Sequence, residues 1–472
     1  MNFLTILFIY FLSFTDKNGS DHIALGERAL EQRAKWEIGI DSLDYAVSSV
    51  YLDSVRALGA TVMHTSRWMN GTTVSIPEDS ITLARLRECS FIKDIELTRD
   101  ESHLNIASMT RDTDIEAPVG SDTAIYGRAL QQLELYNLPP LHKAGFEGQG
   151  IHMAVIDGGF QNADSVTAFN SIREQILGHY DLTDDKYDFF GDKGFHGTAC
   201  LSLIAAVRND FLGSATKACY YMIRSEECDT ESPKEGDNLV AALELADSLG
   251  VNIASVSLGY YAFDNPSLNY SYQDMDGKST RPSRAATIAA RKGMLLCVSA
   301  GNEGKKEWHY ITTPADADSI LTVGAVYKNR GVTDFSSRGP AYDGRIKPEV
   351  CAFGSQATIL NAGTDSLRTG SGTSYACPLT AGLAACLWSA HPDETAQQIR
   401  WRIMRSADRY DAPDNDYGYG IPDAWKAHTL SITKAGTAVQ DSYSIGKSLI
   451  DGRILILKGD DYYDISGRKS AR

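Results

Sequence analysis

Gly370-Ser371-Gly372-Thr373-Ser374-Tyr375-Ala376-Cys377-Pro378 joins a glycine-rich turn to a long run of small and apolar residues, 376–387. The run has no polar face, so it reads as a buried helix rather than an amphipathic surface one. Ser374 falls in its first turn. Unpaired backbone N–H groups and the positive end of the helix dipole lie there. A serine hydroxyl so placed can attack a carbonyl carbon while nearby N–H groups hold the oxyanion. Taken alone, the same residues read more readily as a plain cap, with Thr373 or Ser374 closing the helix start. The rest of the chain decides between the two.

Toward the amino terminus, short apolar runs alternate with helical stretches. Residues 151–156, 219–224, 251–258, 294–299 and 320–326 are strand-like, and 196–207, 238–249 and 283–292 are helical. This alternation predicts an α/β fold, a mostly parallel sheet with helices on both faces. In such sheets chemistry gathers at the carboxyl ends of the strands. Asp157, Ser257-Leu258-Gly259 and Ser299-Ala300-Gly301-Asn302 all stand at such ends. His196 opens His196-Gly197-Thr198-Ala199-Cys200, another glycine-containing turn into an apolar helix. A serine nucleophile needs a base, and the base needs an orienting carboxylate. Singly, each residue also has a plainer reading: a structural histidine, an aspartate capping a turn, an asparagine in a left-handed turn.

In the order Asp, His, Asn, Ser, these stretches resemble the subtilase family of serine proteases, whose chain order differs from that of other Ser-His-Asp enzymes. The likeness runs over about 130–428 and includes Val155-Ile156-Asp157-Gly158-Gly159, Phe335-Ser336-Ser337-Arg338-Gly339-Pro340 and Lys347-Pro348-Glu349-Val350. It implies a subtilisin-like peptidase domain over residues 127–428, with polypeptides as substrates. It also implies Ser374 as nucleophile, His196 as general base and acid, and Asp157 as the group orienting the imidazole. The Asn302 amide and the Ser374 N–H would form the oxyanion hole. Ser257, Leu258 and Gly259, with Ala300 and Gly301, would bind the substrate backbone as an added strand, which leaves side-chain selectivity broad. Two positions depart from the family pattern: Tyr375 replaces the usual Met, and Gly158 replaces the usual Ser or Thr. Neither removes a catalytic group.

Residues 21–100 read as a separate α+β unit, with strands 61–65 and 72–76 around Asn70-Gly71, a hairpin signal. A helix over 81–87 and a closing strand over 91–97 follow. By position and pattern the unit resembles the subtilase propeptide, a small ferredoxin-like inhibitor and folding chaperone. The enzyme's own propeptide is then a partner, and residues 101–126, polar and aperiodic, are the linker carrying the maturation site. Residues 429–472 read as a C-terminal β extension without visible chemistry.

With 472 residues the chain is ample for two domains. Its net charge of −16 and lack of long basic clusters exclude nucleic acid as an expected partner. The apolar run 3–14 is too short to span a bilayer and sits where a signal peptide's apolar region would. Residues 1–20 are therefore expected to be a signal peptide, and the protein exported to an extracellular, periplasmic or cell-surface location. No Lys or Arg precedes the run and no A-x-A site follows, so a buried terminal strand or helix is the alternative. No stable membrane span is expected elsewhere. Eight cysteines include no C-x-x-C pair, so no zinc is expected. Cys219 and Cys228 flank a polar turn that a disulfide could bridge. The chemistry requires no cofactor. Acidic loops such as 181–188 offer calcium ligands, with solvated charge as the plainer reading.

A secreted serine endopeptidase made as a zymogen is the leading expectation. The alternative is a weakly active or inactive subtilase scaffold that binds at the cell surface. An α/β-hydrolase esterase needs G-x-S-x-G, and Ala376 breaks that pattern.

Overall fold

A computed structural model describes residues 7–20, 22–77, 80–100, 123–184, 186–431 and, in the tail, 446–450, 453–458, 461–463 and 469–470. Residues 1–428 form one compact unit and 429–472 a second.

The larger unit is built on a seven-stranded sheet. Its strands are β5 (His152–Asp157), β6 (Ile176–Asp181), β7 (Cys219–Arg224), β8 (Ile253–Val256), β9 (Leu295–Ser299), β10 (Leu321–Val326) and β11 (Val350–Phe353). They lie in the order β11-β10-β9-β8-β5-β7-β6, and every pair is parallel. The central strands are buried on both faces, which is why they read as unbroken apolar runs. Edge strand β6 alternates between half-buried and exposed residues and carries no such run. Helices α4 (Phe195–Ala205), α5 (Pro233–Ser248), α6 (Arg281–Arg291) and α7 (Thr373–Ala390) complete the layers. Pro233 at the first helical position, with a capping box between Ser232 and Glu235, starts α5 ahead of the expected 238. Helix α7 is buried from Thr373 to Trp388, in keeping with its unbroken small and apolar sequence.

Residues 7–100 carry an antiparallel sheet of β1 (Leu7–Phe14), β2 (Thr61–Ser66), β3 (Gly71–Pro77) and β4 (Ile92–Asp100), in the order β2-β3-β1-β4. Helices α1 (Glu27–Lys35), α2 (Ser49–Ala57) and α3 (Ser80–Arg87) belong to the same segment. The order is ferredoxin-like. Within the apolar run expected to be a leader's apolar region, residues 7–14 form inner strand β1, paired with β3 on one side and β4 on the other, as in the alternative of a buried terminal strand. Leu12 and Phe14 sit in the core of this unit. On the other face Phe11 lies under the Arg281 guanidinium, 4.5 Å from its ring centre. The unit therefore begins with β1, ahead of residue 21.

The two parts of the larger unit are joined by buried charge. The Glu244 carboxylate on α5 accepts hydrogen bonds from Ser66 Oγ (2.5 Å), Arg67 N (2.9 Å) and Trp68 N (3.1 Å). A second contact lies further back, where residues 24–44 wrap along the end of α5. Gly26 N donates to Ser248 O at 2.9 Å, and Arg28 reaches Gly250 O (3.0 Å) and Asn252 Oδ1 (2.8 Å). Arg33 pairs with Asp247 at 2.7 Å, Lys292 with Asp44 at 2.6 Å, and Trp36 packs on Trp388 at 5.5 Å.

The expected linker falls outside the described residues over 101–122, while Thr123–Tyr126 is a short helix whose Tyr126 belongs to the main core. In the tail, strands β14 to β17 (Gly446–Ile450, Arg453–Lys458, Asp461–Tyr463, Lys469–Ser470) form an antiparallel sheet of their own. Between β11 and α7, β12 (Ala357–Asn361) and β13 (Ser366–Gly370) form a hairpin leading into the glycine-rich turn.

None of the eight cysteines is in a disulfide, so Cys219 and Cys228 form no bridge. Thiol titration of the denatured, unreduced full chain is expected to find eight thiols, and seven once the unit bearing Cys89 has been removed. A count of six or fewer in the full chain would contradict this arrangement.

Candidate active site

Asp157 ends β5 and is fully buried, and His196 lies in the first turn of α4. His196 Nδ1 stands 2.7 Å from Asp157 Oδ1. Glycines allow this closeness. Gly159 and Gly194 have φ values of 150° and 82°, and a Cβ on Gly159 would come within 2.7 Å of Gly194 Cα. A Cβ on Gly197 would meet Gly159 O at 2.3 Å. The helix start thus rests directly on the strand end. Asp157 Oδ1 also accepts from Gly158 N at 2.8 Å. Among the described residues Asp157 Oδ2 is buried with no hydrogen-bond partner, and glycine at 158 provides no side-chain hydroxyl to meet it.

Ser374 is 9 % exposed in the first turn of α7. Pro378 lies inside that helix and has no N–H to give to the carbonyl four residues back. That carbonyl is Ser374 O. It is satisfied laterally instead, by Ser257 Oγ at 2.9 Å and Cys200 Sγ at 3.4 Å. Cys200 Sγ is also 3.8 Å from His196 Nδ1, so one thiol touches both the histidine and the nucleophile's backbone. Ser374 Oγ itself is directed at Ser257 O, 3.4 Å away. Ser257 is thus tied to Ser374 through both its hydroxyl and its carbonyl.

Asn302 is exposed in the loop after β9. Its Oδ1 accepts from Thr373 N (2.9 Å) and Thr373 Oγ1 (3.1 Å), which leaves the amide nitrogen available to the cleft. Gly301, with φ of 104°, donates its N–H to the same Thr373 hydroxyl at 3.2 Å. Ala300 N extends the sheet by donating to Val323 O at 3.0 Å. Leu258 is nearly buried and Gly259 is exposed beside Ser257. Tyr375 packs its ring 5.8 Å from that of His196 and against Gly370, where a Cβ would come within 2.5 Å of Tyr375 Cε2.

The structure therefore gathers Asp157, His196, Ser257, Asn302 and Ser374 at one end of the sheet. It adds two residues that sequence reading passed over. Thr373 orients Asn302, and Cys200 backs the histidine. The signal for Thr373 was its place directly before the serine. For Cys200 it was its position four residues after the histidine, on the same helix face.

Burial disfavours the charged imidazole, but the Asp157 carboxylate outweighs it and holds His196 well above its ordinary value, with smaller help from Cys200. Glu226, just beyond β7, is pushed up to about 7 by burial and by the nearby Asp157 charge.

The subtilase family model matches residues 148–420. The chain belongs to the subtilase family. A second model, the peptidase S8 propeptide domain of Bacteroidota, matches residues 9–114 of this subtilase, beginning inside β1. Serine protease AprX of Bacillus subtilis is 26% identical over 371 residues, covering 72% of this chain and 75% of AprX. Subtilisin J of Geobacillus stearothermophilus is 26% identical over 423 residues, covering 89% and 96%. Among solved structures, MycP1 of the ESX-1 type VII secretion system aligns with a TM-score of 0.51 at 22% identity, covering 68% of this chain and 90% of that one. The subtilase is a serine endopeptidase made as a zymogen, with polypeptide substrates and an N-terminal propeptide.

Proposed function

We propose that the subtilase cleaves peptide bonds through Ser374, His196 and Asp157, with Asn302 and the Ser374 N–H holding the oxyanion. The observation that carries this reading is the 2.7 Å bond between His196 and Asp157, joined through Cys200 to the backbone of Ser374. Ser374 Oγ attacks the scissile carbonyl, and His196 takes its proton and later gives it to the leaving amine. Asp157 keeps the imidazole in the required tautomer and stabilises its cation. Ser257, Leu258 and Gly259, with Ala300 and Gly301, bind the extended substrate backbone. No cofactor takes part in these steps. The enzyme works outside the cytoplasm, where a broad peptidase held by its propeptide is safely released. This location is supported by a relative named for it, minor extracellular protease Epr of Bacillus subtilis, and not by residues 7–14, which form β1. No described helix is long and apolar enough to cross a membrane.

A fluorophosphonate probe tests the reading, because only an activated serine reacts. Labelling at Ser374 is expected, and an unlabelled, properly folded chain would favour the inactive binding scaffold. Asn302→Ala is expected to lower kcat about 100- to 1,000-fold with KM little changed. A normal kcat in that variant would remove Asn302 from the oxyanion hole.

A further inference from the structure

Beside the triad, the loop after β7 carries Glu226, Glu227 and Glu231, and Asp264 packs against it. The loop is built rather than loose. The Glu235 carboxylate on α5 accepts from Glu227 N and Ser232 N, each at 3.0 Å, and so folds 227–232 back onto the helix start. Asp264 Oδ2 accepts from Glu231 N at 3.0 Å, and Asp264 N donates to Glu231 O at 2.9 Å. Glu226 contacts the Tyr260 hydroxyl, directly after the substrate-strand residues 257–259. Lys234 answers part of this charge by pairing with Glu227.

An independent observation shows what the loop receives. The propeptide's last strand, β4, ends here. Arg99 pairs with Glu227 at 2.5 Å, and Arg99 and Asp100 share a small cavity with Glu231, Phe263 and Asp264. A cationic side chain from the propeptide is therefore seated among these carboxylates. Arg99 precedes residues 101–122, which hold the expected maturation site, so on that expectation its place lies on the amino-terminal side of the cleaved bond.

We propose that Glu227 and Glu231, with Glu226 and Asp264 beside them, form a subsite that selects an arginine or lysine side chain upstream of the cleaved bond, and that Arg99 fills this subsite before maturation. The proposal rests on the catalytic reading above and narrows the broad selectivity expected from main-chain binding alone. Its electrostatics agree. Burial, followed by repulsion from Glu226 and Asp264, raises the Glu231 carboxyl well above its ordinary range, and an incoming cation relieves that repulsion.

The test uses the full-length chain after self-processing and a fluorogenic peptide series. The peptides differ only in carrying Arg, Lys, Leu or Glu at each of several positions before the cleaved bond. At one position Arg or Lys is expected to exceed Leu by at least ~10-fold in kcat/KM, with Glu poorest. That ratio is expected to collapse toward one in Glu231→Gln and in Glu227→Gln, and to shrink at high salt. A flat profile, or a ratio unchanged in both variants, overturns the subsite. Fluorophosphonate labelling keeps the two levels apart. Wild type that labels and cleaves without basic preference sinks only the subsite. Wild type that neither labels nor cleaves sinks the catalytic reading.

Discussion

With Ser374 replaced by alanine, the chain is expected to accumulate as an uncut precursor, while the wild type yields a fragment beginning within residues 101–122. The cut must fall there because β4 ends at Asp100 in the first unit, while helix Thr123–Tyr126 already contributes to the catalytic core. Loss of the serine removes the attacking group from a triad that acts as a unit, so peptidase activity should drop by about 10⁶-fold. His196→Ala should be nearly as severe. The fold should survive the change to Ser374, since the buried Ser257 hydroxyl and Cys200 thiol hold the backbone carbonyl at 374, not its side chain. Mass spectrometry of protein made in a protease-deficient host reads the result. Equal trimming of the Ser374→Ala chain would show that another protease makes the cut.

The second large effect joins rate to pH. In the proposed mechanism, His196 can accept the serine proton only when neutral. Burial works to lower its pKa, but Asp157 at 2.7 Å raises it well above the ordinary histidine value. The protonated, inactive form therefore persists to higher pH than for an ordinary histidine. Below that raised pKa, kcat/KM should fall about tenfold per pH unit, which places the acid limb above ~6.5 and makes the enzyme alkaline in preference. Asp157→Asn keeps the shape but removes the charge. Burial then prevails, so the limb should move below ~6.5 while the plateau rate falls about 10⁴-fold. A pH–rate profile of the variant with its limb unmoved would mean that Asp157 does not set the basicity of His196.

Much of this was legible in the sequence, for reasons that differ by element. Strands β8, β9 and β10 are buried on both faces and announced themselves as apolar runs, and candidate site residues stood at strand ends: Asp157 on β5, Ser257 after β8 and Asn302 after β9. The same property misled at the amino terminus. Strand β1 has Leu12 in its own unit's core and Phe11 against Arg281 of the catalytic domain, so both faces are apolar and the run imitates a leader. Edge strand β6 was invisible because half of it is open to water. Thr373 and Cys200 act through partners 71 and 174 residues away in the chain, at Asn302 and Ser374, and no local pattern encodes such pairings.

The propeptide's two grips on α5, which meet at Asp247 between Arg33 and Arg67, bear on timing. Cutting the linker severs one covalent tie but leaves both the Glu244 cluster and the residue 24–44 wrap in place. Whichever grip opens first is still tethered by the other and recloses before the second lets go. Cleavage and onset of activity are therefore distinct events, separated by a lag. If a liberated enzyme molecule can destroy a neighbour's propeptide, latency is expected to shorten as molecules accumulate, so that the population switches on together.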